Sequence, residues 1–200
     1  FRSYPALFRS LRFWGYSLTS GFASGGFFAF LGGGPYVATE MLGLRPSEYG
    51  FAFALISIGY MLGNFLSGRF SRRAGLNRMI LLGNVAGVLG MAGGTLLAMQ
   101  GIFSVSTLFG AAAMVAIGNG MTLPSANAGL VSVNPRLAGS ASGLGGALQV
   151  GVGATMSFVA GAVIAGAAGP LPLFAVMLLS VCLALVCNVT MVRSRTGQVD

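Results

Sequence analysis

The sequence predicts an all-α integral membrane protein built from about six transmembrane helices. Hydrophobic residues make up 55% of the 200 residues and charged residues only 7%, whereas about a quarter of the residues of an ordinary soluble domain are charged. A surface facing water could not be built from so few charges. The chain instead contains repeated apolar runs, and a helix needs about 20 apolar residues to cross the hydrocarbon core of a bilayer.

Six segments are long and apolar enough to span a bilayer. They cover about residues 13–37, 50–68, 79–100, 104–129, 137–164 and 171–192. These segments do not alternate polar with apolar residues, and only helices or closed barrels satisfy every backbone polar group in lipid. We therefore predict helices rather than strands for all six.

The basic residues are distributed as membrane topology requires. All eleven are arginine, the net charge is +8, and only Arg45 lies at the opposite end of the predicted helices, beside Glu40 and Glu48. The other ten fall on one side of the membrane: Arg2, Arg9, Arg12, Arg69, Arg72, Arg73, Arg78, Arg136, Arg193 and Arg195. Since basic residues concentrate on the cytoplasmic side, both termini are predicted to be cytoplasmic. The same distribution argues against a nucleic-acid partner, which would require a basic face.

The sequence predicts no enzyme, no metal site and no bound cofactor. Histidine is absent, and the three acids Glu40, Glu48 and Asp200 lie outside the predicted spans, so no Ser/His pair or pair of carboxylates is available within the membrane. A Gly-x4-Gly-Lys-Ser/Thr phosphate loop is also missing. Cys182 and Cys187 are five residues apart on one helix, which favours apolar filling over a disulfide.

Neutral polar and aromatic side chains within the predicted helices indicate a cavity for amphipathic organic molecules. On the first helix, four such residues are spaced at i, i+4, i+8 and i+11, which places them on one face: Tyr16, Ser20, Ser24 and Phe27. In the alternative interpretation, the hydroxyls of Ser20 and Ser24 form hydrogen bonds with their own helix, and Phe27 faces lipid. The predicted lining is Tyr16, Ser20, Ser24, Phe27, Tyr60, Asn119 and Gln149.

Other residues within the spans predict packing and bending. Buried amides are costly unless paired, so each must bridge two helices or face a wet cavity, and bridging is the favoured interpretation for Asn64 and Asn84. Pro124 removes one backbone hydrogen bond in the fourth helix and is predicted to be a hinge. Glycines four residues apart are predicted to let helices approach closely. These pairs are Gly21 and Gly25, Gly59 and Gly63, Gly83 and Gly87, Gly90 and Gly94, and Gly139 and Gly143.

The segment Gly68-Arg-Phe-Ser-Arg-Arg-Ala-Gly75-Leu-Asn-Arg78 resembles the short cytoplasmic loop signature of the major facilitator superfamily. In that family the loop joins the second and third helices of each six-helix half, and here it occurs at that position. The residues that carry the resemblance are Gly68, Arg72, Arg73, Gly75 and Arg78. Arg72 replaces the usual acid of the signature.

Two further stretches resemble the Bcr/CflA drug-resistance transporters of that superfamily. Residues 22–50 contain Phe-Phe-Ala-Phe-Leu-Gly-Gly-Gly-Pro35 and are similar to helix seven and the outer loop after it. Residues 123–149 contain Leu123-Pro-Ser-Ala-Asn127 and are similar to helices ten and eleven. The resemblance implies that residues 1–200 are the C-terminal half of a twelve-helix transporter, whose N-terminal six-helix half is a partner absent from this chain.

The resemblance also implies a function and a location. Such transporters lie in the bacterial inner membrane and export bicyclomycin, sulfonamide or phenicol antibiotics by alternating access, driven by the proton gradient rather than a cofactor. Their proton-carrying acids usually lie in the first half, and the start at Phe1 without methionine predicts a truncated N-terminus. Two alternatives stay open: a transporter of a neutral metabolite such as a sugar or amino acid, and a membrane anchor or assembly unit that transports nothing.

Overall fold

The computed structural model describes residues 7–196, with side chains described up to residue 191, and this part of the chain contains helices but no strands. Arg2 and Asp200 lie outside the described residues. The six long helices are α1 (Leu11–Tyr36), α2 (Pro46–Ala74), α3 (Leu76–Met99), α4 (Val105–Val133), α5 (Ala138–Ile164) and α6 (Leu171–Thr196). A π-helical segment, Val37–Met41, follows α1, and a short 3-10 turn, Pro135–Leu137, precedes α5. The all-helical prediction is confirmed.

Five of the six long helices are long and apolar enough to cross a membrane, namely α2 to α6. The prediction of apolar spans is therefore confirmed for five segments, and α1 is the exception. This helix has 26 residues, but it is interrupted by serine, threonine and glycine. It packs against α4, α5 and α6 inside the bundle, where close contact between helices favours small residues over large apolar ones.

Short-range sequence features set the helix ends. The Ser10 hydroxyl accepts a hydrogen bond from the Phe13 backbone N–H at 3.4 Å, and Ser104 caps α4 in the same way. At the start of α2, the Glu48 carboxylate accepts from the Arg45 backbone N–H at 2.9 Å and from its guanidinium at 2.7 Å. Side-chain acceptors of this kind satisfy backbone donors that the first turn of a helix leaves unpaired.

The predicted loop between the second and third helices is helical almost throughout. Helix α2 continues through Gly68, Arg72 and Arg73 to Ala74, so only Gly75 separates it from α3. Gly75 has φ of 84°, a conformation open to glycine but costly for other residues. The short loop that the resemblance implies is therefore one glycine between two helices, and the arginines in the last turn of α2 favour the negative end of the helix dipole.

Glycines allow α4 to lie close to both of its main neighbours. A Cβ atom on Gly83 of α3 would collide with the Gly118 carbonyl oxygen of α4, and one on Gly118 would collide with the Gly83 carbonyl oxygen. Gly63 of α2 and Gly120 of α4 form a second such crossing. The predicted pair Gly139 and Gly143 behaves differently, because a Cβ atom at either position would meet nothing within 4 Å. These two glycines lie on a face of α5 that no described helix covers.

Two apolar clusters lie toward opposite ends of the bundle. One contains Phe30, Phe109 and Phe174 from α1, α4 and α6, with Phe30 and Phe109 in edge contact at 5.7 Å between ring centroids. The other contains Tyr16, Ile80 and other residues at the end where Arg12 and Arg78 lie, which we call the arginine end. A polar bridge also joins three helices: Asn84 donates to the Ala184 carbonyl and accepts from Thr122, both at 3.4 Å.

Candidate binding cavity

A cavity of about 290 Å³ lies between α1, α2, α4 and α5. It is lined by Ser24, Phe27, Phe28, Phe53, Ile56, Ser57, Tyr60, Ala116, Asn119, Leu123 and Gln149. This lining contains no charged residue, and its surface is mostly apolar. Pockets for small organic molecules usually measure about 300–1,000 Å³, so the cavity is just below the lower limit of that range.

Phenylalanine side chains form the apolar wall of the cavity. Phe27 contacts Phe28 edge-on at 6.4 Å between ring centroids, and it contacts Phe53 of α2 at 6.3 Å in a tilted arrangement. Such rings offer large apolar surfaces and can stack with aromatic ligands. The wall therefore suits a molecule with a flat, apolar body.

The hydroxyl groups of the two serines are already engaged by their own helices. Ser24 Oγ donates to the Gly21 carbonyl at 3.0 Å, and Ser57 Oγ donates to the Phe53 carbonyl at 3.5 Å. The side chains of Tyr60, Asn119 and Gln149 make no hydrogen bond with the part of the chain that the structure describes. These three side chains are the side-chain donors that the cavity offers to a ligand, because the serine hydroxyls keep only acceptor capacity.

The crossing of α2 and α4 places two of these side chains beside the cavity. A Cβ atom on Gly120 would collide with the Tyr60 carbonyl oxygen, so only a glycine allows the two backbones to approach this closely. The adjacent residue, Asn119, is 5% exposed. Behind Asn119, toward Asn84, the space between the helices has no room for a water molecule. The small exposed part of Asn119 therefore faces the cavity.

The structure places five of the seven predicted lining residues around this cavity: Ser24, Phe27, Tyr60, Asn119 and Gln149. Tyr16 and Ser20 lie elsewhere. Ser20 is fully buried and donates to the Ser17 carbonyl at 2.9 Å, as the alternative interpretation of the serines has it. The Tyr16 hydroxyl donates to Asn77 Oδ1 at 2.9 Å near the arginine end. The predicted face of α1 extends beyond the cavity, because α4 packs over the end of that face that carries Tyr16, where Gly129 lies against the tyrosine ring.

Several lining residues were not predicted, including Phe28, Ile56, Ala116 and Leu123. A signal for part of α2 was present in the sequence. Phe53, Ser57 and Tyr60 are spaced by four and three residues, which places them on one helical face. That face could have been found by applying to the second helix the pattern used for the first.

Two further predicted features can be located. Pro124 lies within α4, which stays helical on both sides of it, so its role as a hinge stays a prediction. The signature residues Gly75 and Arg78 border a second cavity of about 450 Å³ at the arginine end, together with Arg12 and Tyr16. This second cavity is separate from the uncharged one.

Comparisons with known proteins point to transport. The chain is 27% identical over 194 residues to an uncharacterized MFS-type transporter, YdgK, of Bacillus subtilis, a match that covers 96% of the chain and 47% of that protein. It is 25% identical over 158 residues to a bicyclomycin resistance protein homolog of Haemophilus influenzae, covering 78% of the chain and 39% of that protein. No protein-family model matches the chain, and no solved structure gives a significant match.

The chain spans about half the length, or less, of the curated relatives it matches. The first of these relatives is named as a transporter of the major facilitator type. Together with five helices long and apolar enough to cross a membrane, this likeness supports a multi-pass membrane protein.

Proposed function

We propose that the chain is the C-terminal six-helix half of a proton-coupled exporter of lipophilic antibiotics in the bacterial inner membrane. The observation that carries this proposal is the cavity between α1, α2, α4 and α5, which has an aromatic wall, unpaired side-chain amides and no charge. A lipophilic drug loses little by leaving water for such a site, whereas an ion would lose its hydration without compensation. Bicyclomycin belongs among the compounds to be tested, since one relative is named for resistance to it.

The proposed mechanism is alternating access between two six-helix halves. The matches cover 96% and 78% of this chain but only 47% and 39% of the respective relatives, which fits a unit that is half of a longer transporter. The uncovered glycines of α5, Gly139 and Gly143, offer a smooth face for a second half. In such transporters the two halves rock about a site near the middle of the membrane.

We assign proton transfer to the other half. Inside the described part of the chain the cavity lining has no titratable carboxylate, and Glu40 and Glu48 lie beside Arg45 at the end of the bundle opposite the arginine end. A buried acid is the usual proton carrier within a membrane. The present helices would then shape the drug site, while the N-terminal half couples it to the proton gradient.

A gene deletion tests this function. Deleting the full-length gene and restoring it on a plasmid is expected to lower and then recover resistance to bicyclomycin, a sulfonamide or a phenicol. Restoration with Asn119→Ala and Gln149→Ala together should fail to recover resistance although the protein reaches the membrane. Unchanged susceptibility to the whole panel after deletion would overturn drug export.

A further inference from the structure

The unpaired hydrogen-bonding groups of the cavity indicate which ligands it selects. Among eleven lining residues, both serines donate their hydroxyl protons within their own helices. Of the three lining side chains that have no hydrogen-bond partner among the described residues, Asn119 is the most enclosed, since only 5% of its surface is exposed. An amide that is almost buried costs free energy unless something satisfies it.

The surroundings of Asn119 leave the cavity as the place where a partner can be. Atoms that are both fully enclosed and unpaired occur, within the described side chains, only on Ser17, Thr19 and Asn188. The Asn119 amide is therefore unpaired but not sealed off. The space on its other side, toward Asn84, is too narrow for water, so a molecule in the cavity is what can pair with it.

We infer that the cavity selects neutral aromatic molecules that carry a lactam or imide edge, with Asn119 as the residue that determines this specificity. An asparagine side chain presents one carbonyl acceptor beside two N–H donors. A ring N–H next to a carbonyl is complementary to it, since the two groups can form a pair of parallel hydrogen bonds. This inference rests on the proposed function and names the substrate class of the same site.

The remaining walls define the rest of the ligand. Phe27, Phe28 and Phe53 require a flat apolar body, and the volume of about 290 Å³ limits its size. Gln149 and Tyr60 offer further hydrogen bonds, but both are less enclosed than Asn119. Selectivity rises with burial, because a ligand without the matching group leaves a buried polar group unpaired.

The test uses two ligands that differ only at the proposed contact. Carbostyril is a bicyclic aromatic lactam, and N-methylcarbostyril has the same body but no N–H donor. Purified full-length protein is titrated with each, and affinities are measured by equilibrium dialysis. We expect carbostyril to bind about tenfold more tightly than its N-methyl derivative, which is the effect of one unpaired buried group.

Variants assign the preference to one side chain. Asn119→Leu, which keeps the branching and the number of side-chain heavy atoms, should abolish the preference, and Asn119→Ala serves the same purpose if the larger leucine side chain prevents folding. Asn127→Leu is the matched control, since Asn127 is exposed on the same helix and does not line the cavity; it should keep the preference. Equal affinity for the two ligands, binding of neither, or a preference that survives both Asn119 variants would overturn the inference.

Transport separates this inference from the proposed function. Export of both compounds is measured in proteoliposomes with an imposed pH gradient. Export of both at equal rates and affinities would support the function and overturn the lactam specificity. Selective binding of carbostyril without any export would support the specificity and overturn proton-coupled export.

Discussion

The Tyr16 hydroxyl donates a hydrogen bond of 2.9 Å to Asn77 Oδ1, and this bond ties α1 to the first turn of α3. Tyr16 is 2% exposed. Its ring also lies against Gly129 of α4, where a Cβ atom would collide with it. The Tyr16 side chain thus joins α1 to two other helices, α3 and α4, near Gly75, the single residue that connects α2 and α3.

We expect Tyr16→Phe to destabilise the bundle without changing the binding cavity. The substitution removes the hydroxyl and keeps the ring, and a hydrogen bond between membrane helices contributes on average about 0.6 kcal/mol. Unfolding of the full-length protein in detergent should show a loss of roughly that size, with carbostyril affinity unchanged. The control is Tyr36→Phe on the same helix, because Tyr36 is 41% exposed and has no hydrogen bond to described residues. A weaker affinity for carbostyril in Tyr16→Phe would contradict this assignment.

The crossing of α3 and α4 should not tolerate a methyl group. A Cβ atom on Gly83 would meet the Gly118 carbonyl oxygen and the Thr122 hydroxyl. The helices would have to separate, and overpacking of this kind costs about 1–3 kcal/mol. Gly83→Ala should therefore lower the free energy of unfolding by that amount, measured by denaturant titration in mixed micelles.

Gly93→Ala is the matched control for this prediction. Gly93 lies on the same helix, but a Cβ atom there would meet nothing within 4 Å. Alanine is a better helix former than glycine by about 1 kcal/mol in a soluble helix, so this variant should be neutral or slightly stabilised. Equal destabilisation by both alanines would refute the role assigned to the crossing.

Apolar run length predicted where the helices lie but not where they end. The second span was predicted over 50–68, whereas α2 runs from Pro46 to Ala74. Proline suits the first helical position, and arginines suit the last turn, so the helix extends at both ends beyond its apolar part. The run reports the segment that lipid can accept, whereas the ends depend on local capping.

Spacing on one helix predicted only part of the cavity. The predicted face of α1 from Tyr16 to Phe27 is roughly 16 Å long at 1.5 Å per residue. The half that carries Ser24 and Phe27 lines the cavity, whereas the half that carries Tyr16 is covered where α4 crosses at Gly129. Periodicity shows that residues share a face, but the crossing point depends on contacts between helices far apart in sequence.

Cysteine labelling tests the predicted orientation. With Cys182 and Cys187 replaced by alanine, Ser47→Cys reports the start of α2 and Ser132→Cys reports the arginine end; both serines are exposed. If arginines face the cytoplasm, a membrane-impermeant maleimide should label Ser47→Cys in intact cells and Ser132→Cys only after lysis. Labelling of both after lysis is the control for reactivity. The opposite pattern in intact cells would reverse the topology.

The aromatic wall should contribute to affinity independently of Asn119. Phe53 lines the cavity, while Phe51 on the same helix is 82% exposed, so the two alanine substitutions remove the same side chain from different surroundings. Burying a phenylalanine side chain contributes about 1.5–3 kcal/mol. Phe53→Ala should therefore weaken the binding of N-methylcarbostyril by roughly tenfold or more. Phe51→Ala, the matched control, should leave the affinity unchanged. Because Phe53→Ala leaves the Asn119 amide in place, carbostyril should lose affinity by the same factor, and the ratio between the two ligands should stay constant. A changed ratio in Phe53→Ala would mean that the ring orients the lactam edge rather than only supplying apolar contact.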